Sequence, residues 1–550
     1  MSRPRPLPAA LRRTLQEVFG IAVLREGQEA VIRRVLAGED TLALMPAGAG
    51  KSLCYQLPAF HLRGTVVVVS PLIALMRDQA AKLEGTGVAV DQLNSAVPAR
   101  EQAESMQRLR AGRSEVVFLT PERLGDPEVL AAFRRRRIAL FVIDEAHCIS
   151  QWGHDFRPAY LQIGRALRSL GDPPVLALTA TAPPAVVDDL RAEIGRPGLA
   201  VIDTGLYRAN LRLQVVACTH DDEKLRHTLD VLHRTAGPGI VYTATVRACD
   251  ALHELLRGAG EAVTRYHGKL RVAERARNQS AFMAGDARVM VATNAFGMGI
   301  DKPDIRFVLH WQVPGSPEAY YQEVGRAGRD GDPADAVLLF DRRDRRVQQF
   351  FLARRYPTAD ELARVHGVLA DAAQPLPVPA VAAALEDLPR AHVAVALEAL
   401  LGAHAVRADR HHAWSAEAAA PQAARFDEVA AAYEQRADRD REALERMVFY
   451  AQTGLCRWRV LLEHFGEVPP FADGRCGHCD NCLRRAQVVP AEAPEVPVPS
   501  RGARFAPGAW VRVPRLGRGE VLDATADEVE VRFADGSTRR FVADYVSTVD

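Results

Sequence analysis

The run TLALMPAGAGKS, Thr41–Ser52, decides how the first half of the chain is read. TLAL is a short apolar run of the kind that a strand covered on both faces requires. Gly48 and Gly50 follow it, where a tight turn has to aim several backbone N–H groups at one point. In a loop of this spacing Pro46, Gly48, Ala49 and Gly50 form a phosphate cradle, Lys51 reaches the β- and γ-phosphates, and the Ser52 hydroxyl ligates Mg²⁺. Met45 stands where the strict pattern has its first glycine. Taken alone, the loop therefore also fits a strand-to-helix turn that binds nothing.

The run ALFVIDEAH, Ala139–His147, sharpens the choice by ending an apolar strand with Asp144 and Glu145. Two unpaired carboxylates at the edge of a buried sheet are costly. Mg²⁺ held partly by Asp144 relieves that cost, and leaves Glu145 to orient and deprotonate an attacking water. Around these motifs, apolar runs alternate with longer amphipathic stretches. Thr41–Met45, Thr65–Ser70, Val116–Thr120, Leu140–Asp144 and Val175–Thr179 form one set of expected strands. Gly239–Tyr242, Ala262–Tyr266, Val289–Thr293, Phe307–Trp311 and Ala336–Phe340 form a second. This pattern predicts two doubly wound parallel-sheet α/β domains, at 1–205 and 206–347, with the break near Asp203–Asn210.

Composition bounds the alternatives. The 550 residues are 48% hydrophobic and 25% charged, which excludes wholesale disorder. Seventy Lys+Arg against 69 Asp+Glu leave a formal net charge of +1, which excludes a histone-like electrostatic coat. No stretch approaches the ~18 apolar residues of a membrane span, and the N-terminus has no secretory signal, so a cytoplasmic protein without membrane contact is expected. Only five of the basic residues are lysines: Lys51, Lys82, Lys224, Lys269 and Lys302.

After Arg345 the strand pattern stops. Residues 348–420 read as a winged-helix-like insert, with helices at Val378–Leu385 and Ala391–Leu401 and a β-wing in AVRADRHHAW. A helical zinc-binding module is expected over 421–487. It carries Cys456, Cys476, Cys479 and Cys482 in the spacing C-x19-C-x2-C-x2-C. Four thiolates suit a closed tetrahedral Zn²⁺ site. Disulfides and an iron–sulfur cluster are the alternatives, and His478 sits between ligands as a competitor. A linker over 488–503 precedes an alternating segment, 504–550, expected to be a small Tudor-like β-barrel. Trp510 and Phe541 are assigned to its core in preference to a partner-binding face.

The motifs SPLIALMRDQ (Ser70–Gln79), TPERL (Thr120–Leu124), DEAH (Asp144–His147) and ALTATA (Ala177–Ala182) resemble superfamily 2 helicases. Four further stretches resemble the RecQ family: FGIAVLREGQEA (Phe19–Ala30), CISQWGHDFRPAY (Cys148–Tyr160), ATNAFGMGIDKP (Ala292–Pro303) and YYQEVGRAGRDG (Tyr320–Gly331). The resemblance covers 15–345 nearly continuously, and the cysteines extend it to about 485. It implies that the two sheet domains are RecA-like and that the chain is an ATP-dependent 3′–5′ DNA helicase of recombination and repair that uses ATP, Mg²⁺ and Zn²⁺. It also implies that Arg25 and Gln28 read adenine, and that Gln322, Arg326 and Arg329 face the γ-phosphate from the second domain, with Arg329 as arginine finger.

The same resemblance makes residues 147–160 a loop that senses single-stranded DNA. His147 and Arg157 would be relays, and Trp152 and Phe156 stacking contacts. The residues alone fit domain packing better. Ser70, Thr120, Arg123, Thr179 and Thr181 lie at strand carboxyl ends of the first sheet, where phosphates of one DNA strand could be held; Thr293, Asn294 and His267 are counterparts in the second. The expected partners are single-stranded and forked or tailed duplex DNA, with repair proteins on the C-terminal barrel, and the chain is expected to be a monomer. Two departures from the family stand out: the module inserted before the zinc cluster, and the want of room after it for the usual winged helix. A relocated winged helix at 348–415 reconciles them. The rival readings are an RNA helicase and a DNA-annealing scaffold with an idle motor.

Overall fold

The computed structural model describes residues 7–46, 48–150, 158–297, 302–353, 356–403, 405–409, 413–417, 423–488, 505–514, 516–525 and 527–549. They fall into two units, 1–485 and 486–550. The expected linker coincides almost entirely with residues outside this description. Among the described residues no helix is long and apolar enough to cross a membrane.

The first lobe is a seven-stranded parallel sheet. Its strands are β1 (Thr41–Leu44), β2 (Thr65–Val69), β3 (Val90–Leu93), β4 (Val116–Leu119), β5 (Ile138–Ile143), β6 (Val175–Thr179) and β7 (Ala200–Asp203), in the order β3-β4-β2-β5-β6-β1-β7. The five expected strands occupy the middle. Their side chains are buried toward two hydrophobic layers, one on each face, which is why they read as continuous apolar runs. The two unexpected strands are the edges. In β3 the sequence VDQL carries Asp91, whose buried carboxylate accepts from Arg108 Nε at 2.9 Å and from Ser114 Oγ at 2.6 Å. In β7 the sequence AVID alternates half-buried and exposed positions.

The chain leaves this lobe at one short connection. Thr204 is tied to β1, its N–H and hydroxyl both donating to Leu44 O at 3.1 and 3.2 Å. Leu206 N–H donates to Glu467 Oε2 at 3.1 Å, in the zinc-binding region. Between them Gly205 has φ +76°, a conformation open to glycine and strained for other residues.

The second lobe is a six-stranded parallel sheet of β8 (Leu211–Ala217), β9 (Gly239–Tyr242), β10 (Val263–Tyr266), β11 (Val289–Ala292), β12 (Phe307–His310) and β13 (Ala334–Phe340), in the order β10-β11-β9-β12-β13-β8. Edge strand β8 is again the one that apolar runs miss, because its residues alternate between core and surface. One face of this sheet shares a single core with the cysteine-bearing region, including Met447, Tyr450, Trp458, Leu461 and Phe465. Trp458 Nε1 donates to Leu211 O at 3.2 Å, and Asp480, bridged to Arg457 at 2.9 Å, accepts from Val215 N–H at 3.2 Å. Lys224 is a strut within the lobe: it is buried, donating to Trp311 O at 2.8 Å and to both Asp344 oxygens at 3.0 and 2.8 Å.

The insert has helices Ala359–Ala370, Val378–Ala383 and Arg390–Gly402 and a three-stranded antiparallel sheet of β14 (Leu376–Pro377), β15 (Val406–Ala408) and β16 (Ala413–Ala416), in the order β14-β16-β15. Residues 410–412, between the last two strands, lie outside the described residues. Thr358 and Glu361 form a reciprocal capping box that starts the first helix. The insert lies between helix Asp344–Ala353 and the 30-residue helix Ala423–Gln452, which pack against each other as a hairpin. The long helix is about 45 Å from end to end. Its early turns (Phe426, Val429, Ala430, Tyr433) pack on the insert's core, and its last turns (Met447, Tyr450, Ala451) lie in the core of the second lobe.

The C-terminal unit is a five-stranded antiparallel sheet of β17 (Trp510–Val513), β18 (Gly517–Ala524), β19 (Glu528–Phe533), β20 (Thr538–Val542) and β21 (Ser547–Thr548), in the order β20-β19-β18-β17-β21. The core assignment of Trp510 is corrected: the residue is 57% exposed. Strand alternation turns Val511 and Val513 inward, which sends Trp510 and Arg512 out. Phe541 is partly buried, edge-on to Phe533 and stacked on Tyr545.

Candidate nucleotide site and cysteine cluster

The turn after β1 is shaped by two glycines with positive φ, Gly48 (+85°) and Gly50 (+77°). Space enforces them as well as torsion. A Cβ at Gly48 would meet Arg329 Cγ at 2.8 Å, and one at Gly50 would meet Gln28 Nε2 at 2.5 Å. Gln28 is buried and donates to Ala49 O and Gly50 O, at 3.0 Å each, while its own oxygen accepts from Arg25 N–H at 2.8 Å. Arg25 Nη1 donates to Gly48 O. Arg25 and Gln28 thus grip the loop backbone itself. Pro46 is half-buried beside Met45 at the start of the turn, and Ser52 precedes helix Leu53–Ala59.

Lys51 Nζ donates to Met45 O at 3.2 Å. Burial pulls the Lys51 pKa below its ordinary value; Glu145 and Asp144 oppose this and Arg329 adds to it. The Asp144 carboxyl is pushed up to about 7, by burial first and by Glu145 second, against the pull of Lys51 and of the Ser70 hydroxyl, which donates to Asp144 Oδ2 at 3.0 Å. Glu145 adopts left-handed backbone angles, φ 48° and ψ 49°, a strained state for a residue with a side chain. Its buried Oε2 accepts no hydrogen bond among the described residues; His147 Nδ1 lies 3.5 Å away and pairs with Thr179 Oγ1 at 2.9 Å. A raised aspartate beside an unsatisfied glutamate oxygen is a donor set short of positive charge, which fits a divalent cation of the Mg²⁺ class.

Cations converge on this loop from both lobes. Arg329 lies against Gly48 and is close enough to Lys51 to depress its pKa. Arg208, which the sequence reading missed, donates to Gly325 O at 3.0 Å and to Gly328 O at 2.5 Å, and feels the charge of Arg25. Asn210 adds bonds to Gly328 O and Asp332 O at 2.8 and 2.9 Å. These two residues brace the turn that carries Arg329. Their only sequence signal is their place at the lobe junction. Arg326 is buried and donates to Gly297 O, and Gln322 lines a neighbouring cleft of about 630 Å³.

The remaining candidates are placed as follows. Thr179 Oγ1 also donates to Thr181 O at 3.1 Å, which continues the line from Glu145 and His147. Tyr160 OH donates to Asp144 O at 3.0 Å. Thr120 is the buried residue preceding helix Pro121–Leu124, and Arg123 pairs with Asp126 at 2.7 Å. Thr293 is buried, Asn294 lines the cleft, and His267 bonds Asp250 at 3.0 Å. Trp152, Phe156 and Arg157 lie outside the described residues.

Farther along, the sulfurs of Cys456, Cys476, Cys479 and Cys482 lie within 4.8 Å of one another. Backbone N–H groups of Cys476, Cys479 and Arg457 point at the sulfurs of Cys456, Cys476 and Cys479, at 3.3, 3.3 and 3.5 Å. A gathered four-sulfur set with N–H···S bonds fits a structural Zn²⁺. His478 takes no part: its Nδ1 bonds Cys476 O at 2.9 Å.

Three family models match the chain: DEAD/DEAH box helicase over residues 25–190, helicase conserved C-terminal domain over 223–331, and RecQ zinc-binding over 420–483. The chain is 36% identical over 481 residues to the ATP-dependent DNA helicase RecQ of Bacillus subtilis, covering 87% of this chain and 68% of that protein. It is 40% identical over 361 residues to the probable ATP-dependent DNA helicase RecS of the same organism (65% and 72%), and 40% identical over 337 residues to RecQ of Haemophilus influenzae (61% and 54%). Among solved structures it resembles Mss116p bound to single-stranded RNA and AMP-PNP, with a TM-score of 0.52 at 21% identity over 61% of this chain and 73% of that one. Likeness at that identity speaks for the fold alone.

Proposed function

Because the chain belongs to the RecQ family of ATP-dependent DNA helicases, we propose that its motor translocates 3′ to 5′ on single-stranded DNA and unwinds forked or tailed duplexes in recombination and repair. The observation that carries the motor reading is Arg329 of one lobe resting against Gly48 of the other, within electrostatic reach of Lys51. A triphosphate in that loop meets cations from both sides, so its hydrolysis alters what holds the lobes together.

In this reading Lys51 and Arg329 hold the γ-phosphate from opposite lobes, and Arg208 keeps the Arg329 turn in place. Glu145 orients the attacking water and takes its proton. Mg²⁺ held by Asp144 and Ser52 would supply charge neutralisation at the phosphates. His147 lies 3.5 Å from Glu145 Oε2 and bonds Thr179, whose hydroxyl donates to Thr181 O, which supports His147 as a relay between hydrolysis and the strand phosphates read at Thr179 and Thr181. The helix and strand order of the insert supports a winged helix moved upstream of the zinc region. The C-terminal sheet is read as a Tudor-like barrel that takes repair proteins, and the protein as a cytoplasmic monomer.

Unwinding of duplexes with 3′ or 5′ single-stranded tails tests the motor, with Lys51→Ala and Arg329→Ala alongside. Only the 3′-tailed substrate is expected to open. Arg329→Ala should lower kcat by about 10³-fold or more with ATP still bound, and Lys51→Ala should abolish turnover while DNA binding persists. Turnover by Lys51→Ala at the unaltered rate would defeat the site. Equal stimulation by RNA and DNA would favour an RNA helicase.

A further inference from the structure

The hairpin whose second helix opens the zinc-binding region carries groups that the motor does not use. Phe351 and Leu352 of helix Asp344–Ala353 line the 630 Å³ cleft, together with Gln348 one turn earlier. Phe351 is 43% exposed, and Phe350, 51% exposed, packs edge-on against it with ring centroids 6.1 Å apart. An exposed phenylalanine such as Phe351, lining a cleft, loses hydrophobic stabilisation unless something covers it. Across the cleft, Arg436, Arg439 and Arg446 of the long helix point at the same space, at spacings of three and seven residues that put them on one face. The third wall is the carboxyl edge of the second sheet, with Thr243 after β9, Asn294 after β11 and Gln312 after β12, where ligands gather in sheets of this kind.

The acidic groups in the cleft have partners, as do Arg436 and Arg439, so a phosphate there exchanges with contacts the arginines already make. Glu318 bonds His464 at 2.6 Å, Glu323 bonds His310 at 2.7 Å, and Glu442 faces Arg446 at 3.4 Å within its own helix. Asp440 accepts from the Tyr356 hydroxyl. Aromatic faces flanked by arginines are the surface that takes an unpaired base with its phosphates.

We propose that this hairpin is a base-stacking platform for single-stranded DNA: Phe351, braced by Phe350, stacks one base, and Arg436 and Arg439 hold the adjoining phosphates. The platform rests on the chain being a DNA helicase, and extends the strand's path from the sheet edge onto the hairpin. It gives an unpaired base a stacking partner in a chain whose insert stands before the zinc region.

The test is equilibrium binding of a fluorescent oligothymidylate to the full chain, with 2-aminopurine placed at successive positions as a stacking probe. Phe351→Ala should weaken binding about tenfold and remove the 2-aminopurine response at one position. Phe351→Tyr should restore both. Arg436→Ala with Arg439→Ala should weaken binding and flatten its salt dependence while keeping the stacking response. DNA-independent ATP turnover should stay unchanged in each variant, which reports a folded motor. Binding and stacking signals unchanged in Phe351→Ala would overturn the platform. Absence of DNA-stimulated turnover in the unaltered chain would overturn the motor reading, and the binding comparison would still decide the platform.

Discussion

The two parallel-sheet lobes are built alike and stabilised differently. The first is self-sufficient, its sheet covered on both faces by its own helices. The second borrows: one face of its sheet is covered partly by residues 447–482, and Trp458 reaches its strand β8 across 247 positions. The chemistry-bearing carboxylates sit in the independent lobe, and the cysteine cluster serves the dependent one. A structural metal here stabilises half a motor as well as its own small module.

Removing the metal should give the largest effect. Chelation, or Cys479→Ser, should lower the unfolding temperature of the second lobe sharply, since structural zinc contributes on the order of 10 kcal/mol, and should leave the first lobe's transition in place. Calorimetry that shows both lobes falling together would break the comparison. Lys224→Met comes next. It strands the Asp344 carboxylate, which is buried with its lysine at 2.8 Å, and should cost about 3–5 kcal/mol in urea titrations, again in the second lobe alone. Smallest is Ser114→Ala in the first lobe. It removes one donor from Asp91 and leaves Arg108 in place, for an expected loss of about 1.5 kcal/mol. A larger loss than for Lys224→Met would reverse the ranking of the lobes.

What could be read from the sequence follows the same division. Interior strands such as TVVVV at 65–69 announce themselves because both faces are covered. The edges β3, β7 and β8 escape, since a buried Asp91 or an alternating face erases the apolar run. The nucleotide loop and the acidic pair are local in sequence and visible there. Arg208 is not, because its purpose lies in carbonyls more than a hundred residues away. The joining of the zinc region to the second sheet is equally non-local. Trp510 is a correction of another kind: a large apolar side chain is expected in the core, but the alternation with inward Val511 and Val513 turns the indole outward.

The long helix Ala423–Gln452 is rooted at both ends, in the insert's core at one and the second lobe's at the other. Between those anchorages runs a polar stretch, Glu434–Asp440, in which only Ala437 is buried. A continuous helix of this kind is expected to carry a tilt of the insert to the lobe that bears Arg329, and a proline in that span, by kinking it, should weaken the coupling.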